Sequence, residues 1–151
     1  MPEGSLGTGT GFDHLMDRLG GVDAVGSVVR TKEDLMRVAE AGLPVAAADA
    51  LSLTTLSKDE LFRLVLPRRT YAHRKAQSRP LSSEETERAL RVARIAALSE
   101  ETFGDRDVAD RWLRRPTRAL GGRAPLDLVV TEPGGELVED LLMRIAHGMA
   151  A

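Results

Sequence analysis

The run Ser57-Lys58-Asp59-Glu60-Leu61-Phe62-Arg63-Leu64-Val65-Leu66-Pro67-Arg68-Arg69-Thr70-Tyr71-Ala72-His73-Arg74-Lys75 decides how this chain folds. Ser57 with Glu60 three places on is a capping box, in which side chains satisfy the free N–H groups of a helix start. Leu61, Phe62, Leu64 and Val65 carry that helix forward. Pro67 stops it, because the ring lacks an N–H and drives the preceding residue out of helical geometry. A second helix, strongly basic, is predicted over 68–77. Two short helices about a tight turn predict a helix-turn-helix, whose second helix lies in the DNA major groove. Arg68, Arg69 and Thr70 would occupy its first turn, where side chains reach base edges and N–H groups meet phosphate. His73, Arg74 and Lys75 follow one turn later. These six are the candidate DNA-binding residues. A basic surface helix that never touches DNA has the same pattern, and the turn Val65-Leu66-Pro67 lacks the glycine common there. Both readings stay open at this point.

Working outward toward the N-terminus, Thr31-Lys32-Glu33-Asp34 is a near capping box. It opens a helix striped by Leu35, Val38 and Ala39 and stopped by Gly42 and Pro44. A helix of small apolar residues is expected over 44–50, and a shorter one from near His14 to Gly20-Gly21. Residues 1–13 read as a flexible tail, with Gly4, Gly7, Gly9 and Gly11 set among Ser and Thr. They are not a phosphate-binding loop, since no strand precedes them and no Lys-Ser/Thr pair follows.

Toward the C-terminus, Pro80 marks a boundary, and Ser82-Ser83-Glu84-Glu85 caps the longest helix, expected over 83–102. Ala89, Leu90, Ala93, Ala96 and Ala97 recur at helical spacing, joined by Val92, Ile95 and Leu98. So wide and alanine-rich a face predicts burial in a bundle or a dimer. Glu84 with Arg88 and Glu87 with Arg91 are spaced as intrahelical ion pairs. Gly104 ends this helix and Asp105 caps the next, which carries Val108, Ala109, Trp112 and Leu113 before Pro116. Trp112 reads as a core anchor. A loop over 117–124 leads to a short helix begun by Pro125. Thr131-Glu132-Pro133-Gly134-Gly135 reads as a turn. The last helix is expected from Glu136 to about His147, with an Asp140–Arg144 pair and Gly148 just past its end.

Composition agrees with an all-α fold. The chain has 151 residues, which suits one compact domain or two small helical units. Its few aromatics leave a core of Leu, Val, Ile and Ala, a mix that favours helix over sheet. With no cysteine there is neither a disulfide framework nor a thiolate metal site. No apolar run approaches the roughly 20 residues that span a bilayer, and no signal peptide is visible, so a cytoplasmic protein is expected. The net charge of -2 conceals an island at 61–79 with six basic residues and no acidic one. His14, His73 and His147 lie far apart in sequence. No metal-ligand spacing, nucleophile elbow or carboxylate pair suited to chemistry occurs. The expectation is a binding protein without cofactor or metal, and not an enzyme.

The second half carries a resemblance. The run Leu81 to Arg94, then Glu101-Thr102-Phe103-Gly104-Asp105 with Ala109, Trp112, Leu113 and Pro116, resembles blocks of the Xre/MbcA/ParS antitoxins. Ala119-Leu120-Gly121-Gly122-Arg123-Ala124-Pro125-Leu126-Asp127-Leu128 looks like that family's most distinctive block. It leads into Thr131-Glu132, Gly135, Val138 and Arg144-Ile145-Ala146-His147-Gly148. Ser57 to Leu61 and Arg69 to Lys75 are similar to the family's helix-turn-helix. The resemblance implies a tail at 1–13, an Xre-like helix-turn-helix unit at 14–80, and a toxin-binding and dimerisation domain at 81–151. It implies a cognate RES-type toxin that consumes NAD or transfers ADP-ribose, with its NAD site blocked by this chain. It implies operator DNA as a second partner, autoregulation, and a homodimer within a hetero-oligomeric complex.

Candidate toxin-binding residues are Arg144, His147, Gly148, Met149, Ala150 and Ala151, a thin and mostly uncharged plug. A carboxylate after Ala151 would meet the cationic groups that a toxin uses for NAD phosphates. Two alternatives remain beside this reading. One is a stand-alone helix-turn-helix regulator whose second half only dimerises, and the other is an antitoxin that no longer binds DNA.

Overall fold

The computed structural model describes residues 9–148. Among them every regular element is helical, apart from one isolated antiparallel bridge between Thr117 and Arg123. The helices are α1 (Gly9–Arg18), α2 (Gly21–Val25), α3 (Lys32–Ala41), α4 (Val45–Thr54) and α5 (Lys58–Leu64). They continue with α6 (Arg68–Ala76), α7 (Ser83–Phe103), α8 (Arg106–Leu113), α9 (Pro125–Leu128) and α10 (Glu132–Gly148), with a 3-10 turn at Arg118–Leu120. The protein is all-α, as its composition and periodicity predict.

The wide apolar arc of α7 has a direct structural meaning. This helix runs through the middle of the molecule, and α1, α3, α4, α8 and α10 all pack against it. Ala89, Ala93, Ala96 and Ala97 are fully buried. Methyl-sized side chains let neighbouring helices approach to the short end of the usual 8–10 Å spacing, which fits so many around one axis. The expected pairs Glu84–Arg88 and Glu87–Arg91 do not form. Arg88 donates instead to the Val65 carbonyl (2.8 Å), and Arg91 to the carbonyls of Val129 (3.1 Å) and Val130 (3.2 Å). Buried carbonyls have no water to satisfy them, so long arginines reach across helices in preference to exposed intrahelical partners.

Several elements differ from expectation. Helix α1 starts at Gly9, inside the expected tail, because Phe12 is buried with Leu15, Met16 and Leu19. Residues 1–8 of that tail lie outside the described residues. A separate α2 follows Gly20, and α4 continues to Thr54, with Leu51 completely buried. Finally, α10 opens at Glu132, one turn before the expected Glu136.

The glycines that suggested a turn before α10 serve close packing. A Cβ on Gly134 would stand 1.9 Å from the Leu128 carbonyl oxygen, and one on Gly135 2.8 Å from Cδ of Arg91. Thr131 Oγ1 accepts from the Gly134 N–H (3.1 Å) and so supports the helix start. Gly148 likewise differs from expectation: it lies within α10 rather than beyond it, and it is absent from the positive-φ residues.

Candidate functional site

The α5–α6 unit forms as its sequence requires. Ser57 Oγ accepts from the Glu60 N–H (3.1 Å), and the Glu60 carboxylate accepts from the Ser57 N–H (2.9 Å). Leu64, Val65 and Leu66 are buried beneath the turn, and Pro67 supplies the extended residue from which α6 starts. The Phe62 and Tyr71 rings pack with centroids 5.5 Å apart and fix α6 against α5. The Tyr71 hydroxyl donates to Asp49 of α4 and accepts from Lys58 (3.1 Å) and Lys75 (3.2 Å). The apolar ring and its polar rim thus bind three helices together.

The six candidate DNA-binding residues divide by what holds them. Arg69 and His73 are exposed, and among the described residues neither has a side-chain hydrogen bond or ion pair. Thr70, half-buried, lies between them in sequence. Arg68 is exposed with its guanidinium 4.9 Å from the Phe62 centroid, a cation–π contact that leaves its edge open. Arg74, half-buried, and Lys75, exposed, are both tied to partners within the protein. Arg74 grips Glu85 through Nε (3.1 Å) and Nη2 (3.2 Å), bracing α6 on the capping box of α7. Burial pushes the Glu85 carboxyl up, but Arg74 and the Ser82 N–H outweigh it and hold the group below its ordinary range. Lys75 is held above its ordinary range by the Tyr71 hydroxyl and then by Asp49.

On the C-terminal side, Arg144, His147 and Gly148 lie exposed along α10, and neither side chain has a partner among the described residues. The expected Asp140–Arg144 pair is not formed. Leu137, earlier on the same helix, is 55% exposed. Met149, Ala150 and Ala151 lie outside the described residues. The start of α10 is held by a buried arginine that the sequence reading assigned to a surface pair. Arg91 donates to the carbonyls of Val129 (3.1 Å) and Val130 (3.2 Å) and to Glu132 (3.1 Å).

A second buried arginine had no local signal at all. Arg18 is fully enclosed, donating to Thr55 (3.1 Å), Asp110 (2.9 Å) and Glu100 (3.0 Å). It joins α1 to α4, α7 and α8, and His14 Nδ1 lies 3.4 Å from the same Glu100. Its partners stand up to 92 positions away, so only the folded chain brings them together. The cluster is structural, because one guanidinium holds both carboxylates and its centre is closed to solvent. Among the described residues no group of histidine, aspartate or glutamate could hold a metal ion, and no helix is long and apolar enough to cross a membrane.

A helix-turn-helix pair joined through a central helix to a second group of helices defines a class of modular helical protein. Comparison with known proteins supports that class in both halves. A family model described as the antitoxin Xre-like helix-turn-helix domain matches residues 34–94. A second, described as the antitoxin Xre/MbcA/ParS C-terminal toxin-binding domain, matches residues 98–148. The chain is similar to Antitoxin Xre of Photorhabdus laumondii, 32% identical over 113 residues, covering 73% of this chain and 76% of that one. It is 34% identical over 96 residues to Antitoxin Xre of Pseudomonas putida, covering 64% of this chain and 58% of that protein. A Sphingobium protein named Prs ADP-ribosylating antitoxin is 38% identical over 85 residues, covering 50% of this chain and 54% of that one. The chain belongs to the Xre/MbcA/ParS antitoxin family.

Proposed function

We propose that this protein is the antitoxin of a type II pair, binding a RES-type toxin through α10 and repressing its own operon through α6. The observation that carries the reading is the separation of two unpartnered surfaces. Arg69 and His73 stand free on α6, and Arg144 and His147 stand free on α10, while nearby cations such as Arg74 and Arg91 are committed to the fold. A free arginine beside a free imidazole on a recognition helix suits base edges and phosphate. In this reading residues 14–80 read DNA, and residues 81–151 bind the toxin and pair two copies. The Sphingobium relative, whose name joins an antitoxin to ADP-ribosylation, supports a partner that uses NAD. Arg144, His147, Gly148 and the residues after them would then cover the NAD site. The protein itself performs no catalysis.

The test is co-expression with the product of the adjacent gene, purification, and an assay of NAD hydrolysis and ADP-ribosylation. The expected result is a stable, inactive complex that gains activity when this chain is removed. Deleting residues 148–151 is expected to restore toxin activity more than it weakens the complex. Full inhibition by the shortened chain would refute the plug. Absence of any complex, with tight binding to promoter DNA, would make the protein a stand-alone regulator.

A further inference from the structure

Between Asp110 and Asp127 the chain carries five arginines and no acidic residue. One of them is committed to the fold. Arg114 pairs with Glu60 (2.7 Å) and donates to the Thr55 carbonyl (2.6 Å). Arg111, Arg115, Arg118 and Arg123 are exposed, and none has a side-chain partner among the described residues. Asp110, beside Arg111 on α8, is already held by Arg18 (2.9 Å). The segment is held in shape by the Thr117–Arg123 bridge and by the Gly122 N–H donating to the Thr117 carbonyl (2.9 Å). It is fastened to α5 at both ends, by Arg114 to Glu60 and by Arg63 to Asp127 (2.9 Å).

That attachment decides what the arginines face. In a helix-turn-helix the first helix crosses the DNA backbone while the second enters the groove. Here α5 is the first helix, so the segment flanks the element that lies over phosphate. A cluster of unpaired cations repels itself and is relieved by a polyanion. We propose that the arginine segment 111–123 is a second DNA contact, neutralising backbone phosphates beside the site that α6 reads, without sequence preference. The proposal rests on the reading of α6 as a recognition helix. An acidic protein surface could also meet these arginines. DNA is favoured because the segment is pinned to the helix-turn-helix through α5.

The experiment compares the full chain with its R111Q/R115Q/R118Q/R123Q variant, leaving Arg114 in place. Affinity is measured across a salt series for two duplexes of about 30 base pairs, one of mixed sequence and one from upstream of the gene, since each lost phosphate contact lowers the log–log salt slope by about 0.9. The expected slope falls by about 3–4 on both duplexes, so raising salt from about 50 to about 200 mM costs the wild type on the order of 100-fold more than the variant. The ratio of affinities for the two duplexes stays the same. Arg69→Ala should lower that ratio. If the fourfold variant melts early, Arg115→Gln and Arg118→Gln singly are each expected to lower the slope by about 1. An unchanged slope alongside an effective Arg69→Ala overturns the proposal and leaves the α6 reading standing. If the wild type binds neither duplex, both fall. A variant that keeps its salt slope but loses a co-expressed toxin shows the segment to be a protein interface instead.

Discussion

At the residue scale, side chains of one chemical type serve opposite ends according to burial. Arg18 and Arg91 are structural bolts, whereas Arg69 and Arg144 are free. Arg18→Met would leave Glu100 and Asp110 without their shared cation, and stability is expected to fall by about 3 kcal/mol in urea denaturation, as for other broken buried pairs. A loss under about 1 kcal/mol would mean that water reaches those carboxylates. The glycines of α10 make a second contrast. Gly134→Ala must push the new methyl into the Leu128 carbonyl, which should cost about 2 kcal/mol or more, in the range of overpacked cores. Gly148 meets nothing within 4 Å. There Ala should stabilise the protein by up to about 0.5 kcal/mol, through helix propensity alone. Neither the burial of Arg18 nor the tight seat of Gly134 was legible in sequence, since both depend on atoms supplied by other segments. The capping pairs Thr31–Asp34, Ser57–Glu60 and Ser82–Glu85 were legible, because the bonded groups are three residues apart.

At the scale of elements, α6 carries unpartnered and fold-bound side chains along a single helix. Arg69→Ala is expected to weaken DNA binding while leaving stability within about 0.5 kcal/mol, as exposed unpaired positions do. Arg74→Ala removes the grip on Glu85 and should lower stability by about 1–2 kcal/mol, with any loss of DNA binding following from the loosened helix. Chemical denaturation of the two variants beside a DNA titration tells these effects apart. Acid should loosen the same joint. Burial raises the Glu85 carboxyl, and Arg74 and the Ser82 N–H overcome that, so its folded value lies below the ordinary Glu value. A depressed carboxylate stabilises the fold above its unfolded value, and that contribution is lost as pH falls through the folded value. Stability should therefore decline from about pH 4.5 downward, with Glu85→Gln less stable at neutral pH and flatter across that window. A parallel decline in both proteins would remove Glu85 from the account.

At the scale of the whole molecule, α7 makes one structure of two halves. The two family models meet within its length, and it packs against α1, α3 and α4 as well as α8 and α10. Unfolding should therefore be a single event. Urea transitions followed by Trp112 fluorescence, which reports the C-terminal half, and by helical circular dichroism should coincide. Two resolved transitions would show that the halves fold independently. The amino-acid sequence by itself determined most of the helices and the three capping boxes, the break at Pro67, the basic character of α6 and the family blocks. Each depends on groups within a few residues or on an apolar period that one helix carries alone. The tertiary structure alone decided which arginines are free and which are bound, why Gly134 and Gly135 lie inside a helix, and that α7 is the shared axis. Those outcomes turn on burial, and burial removes water, so a charge or carbonyl must take whatever partner the packing of distant helices supplies.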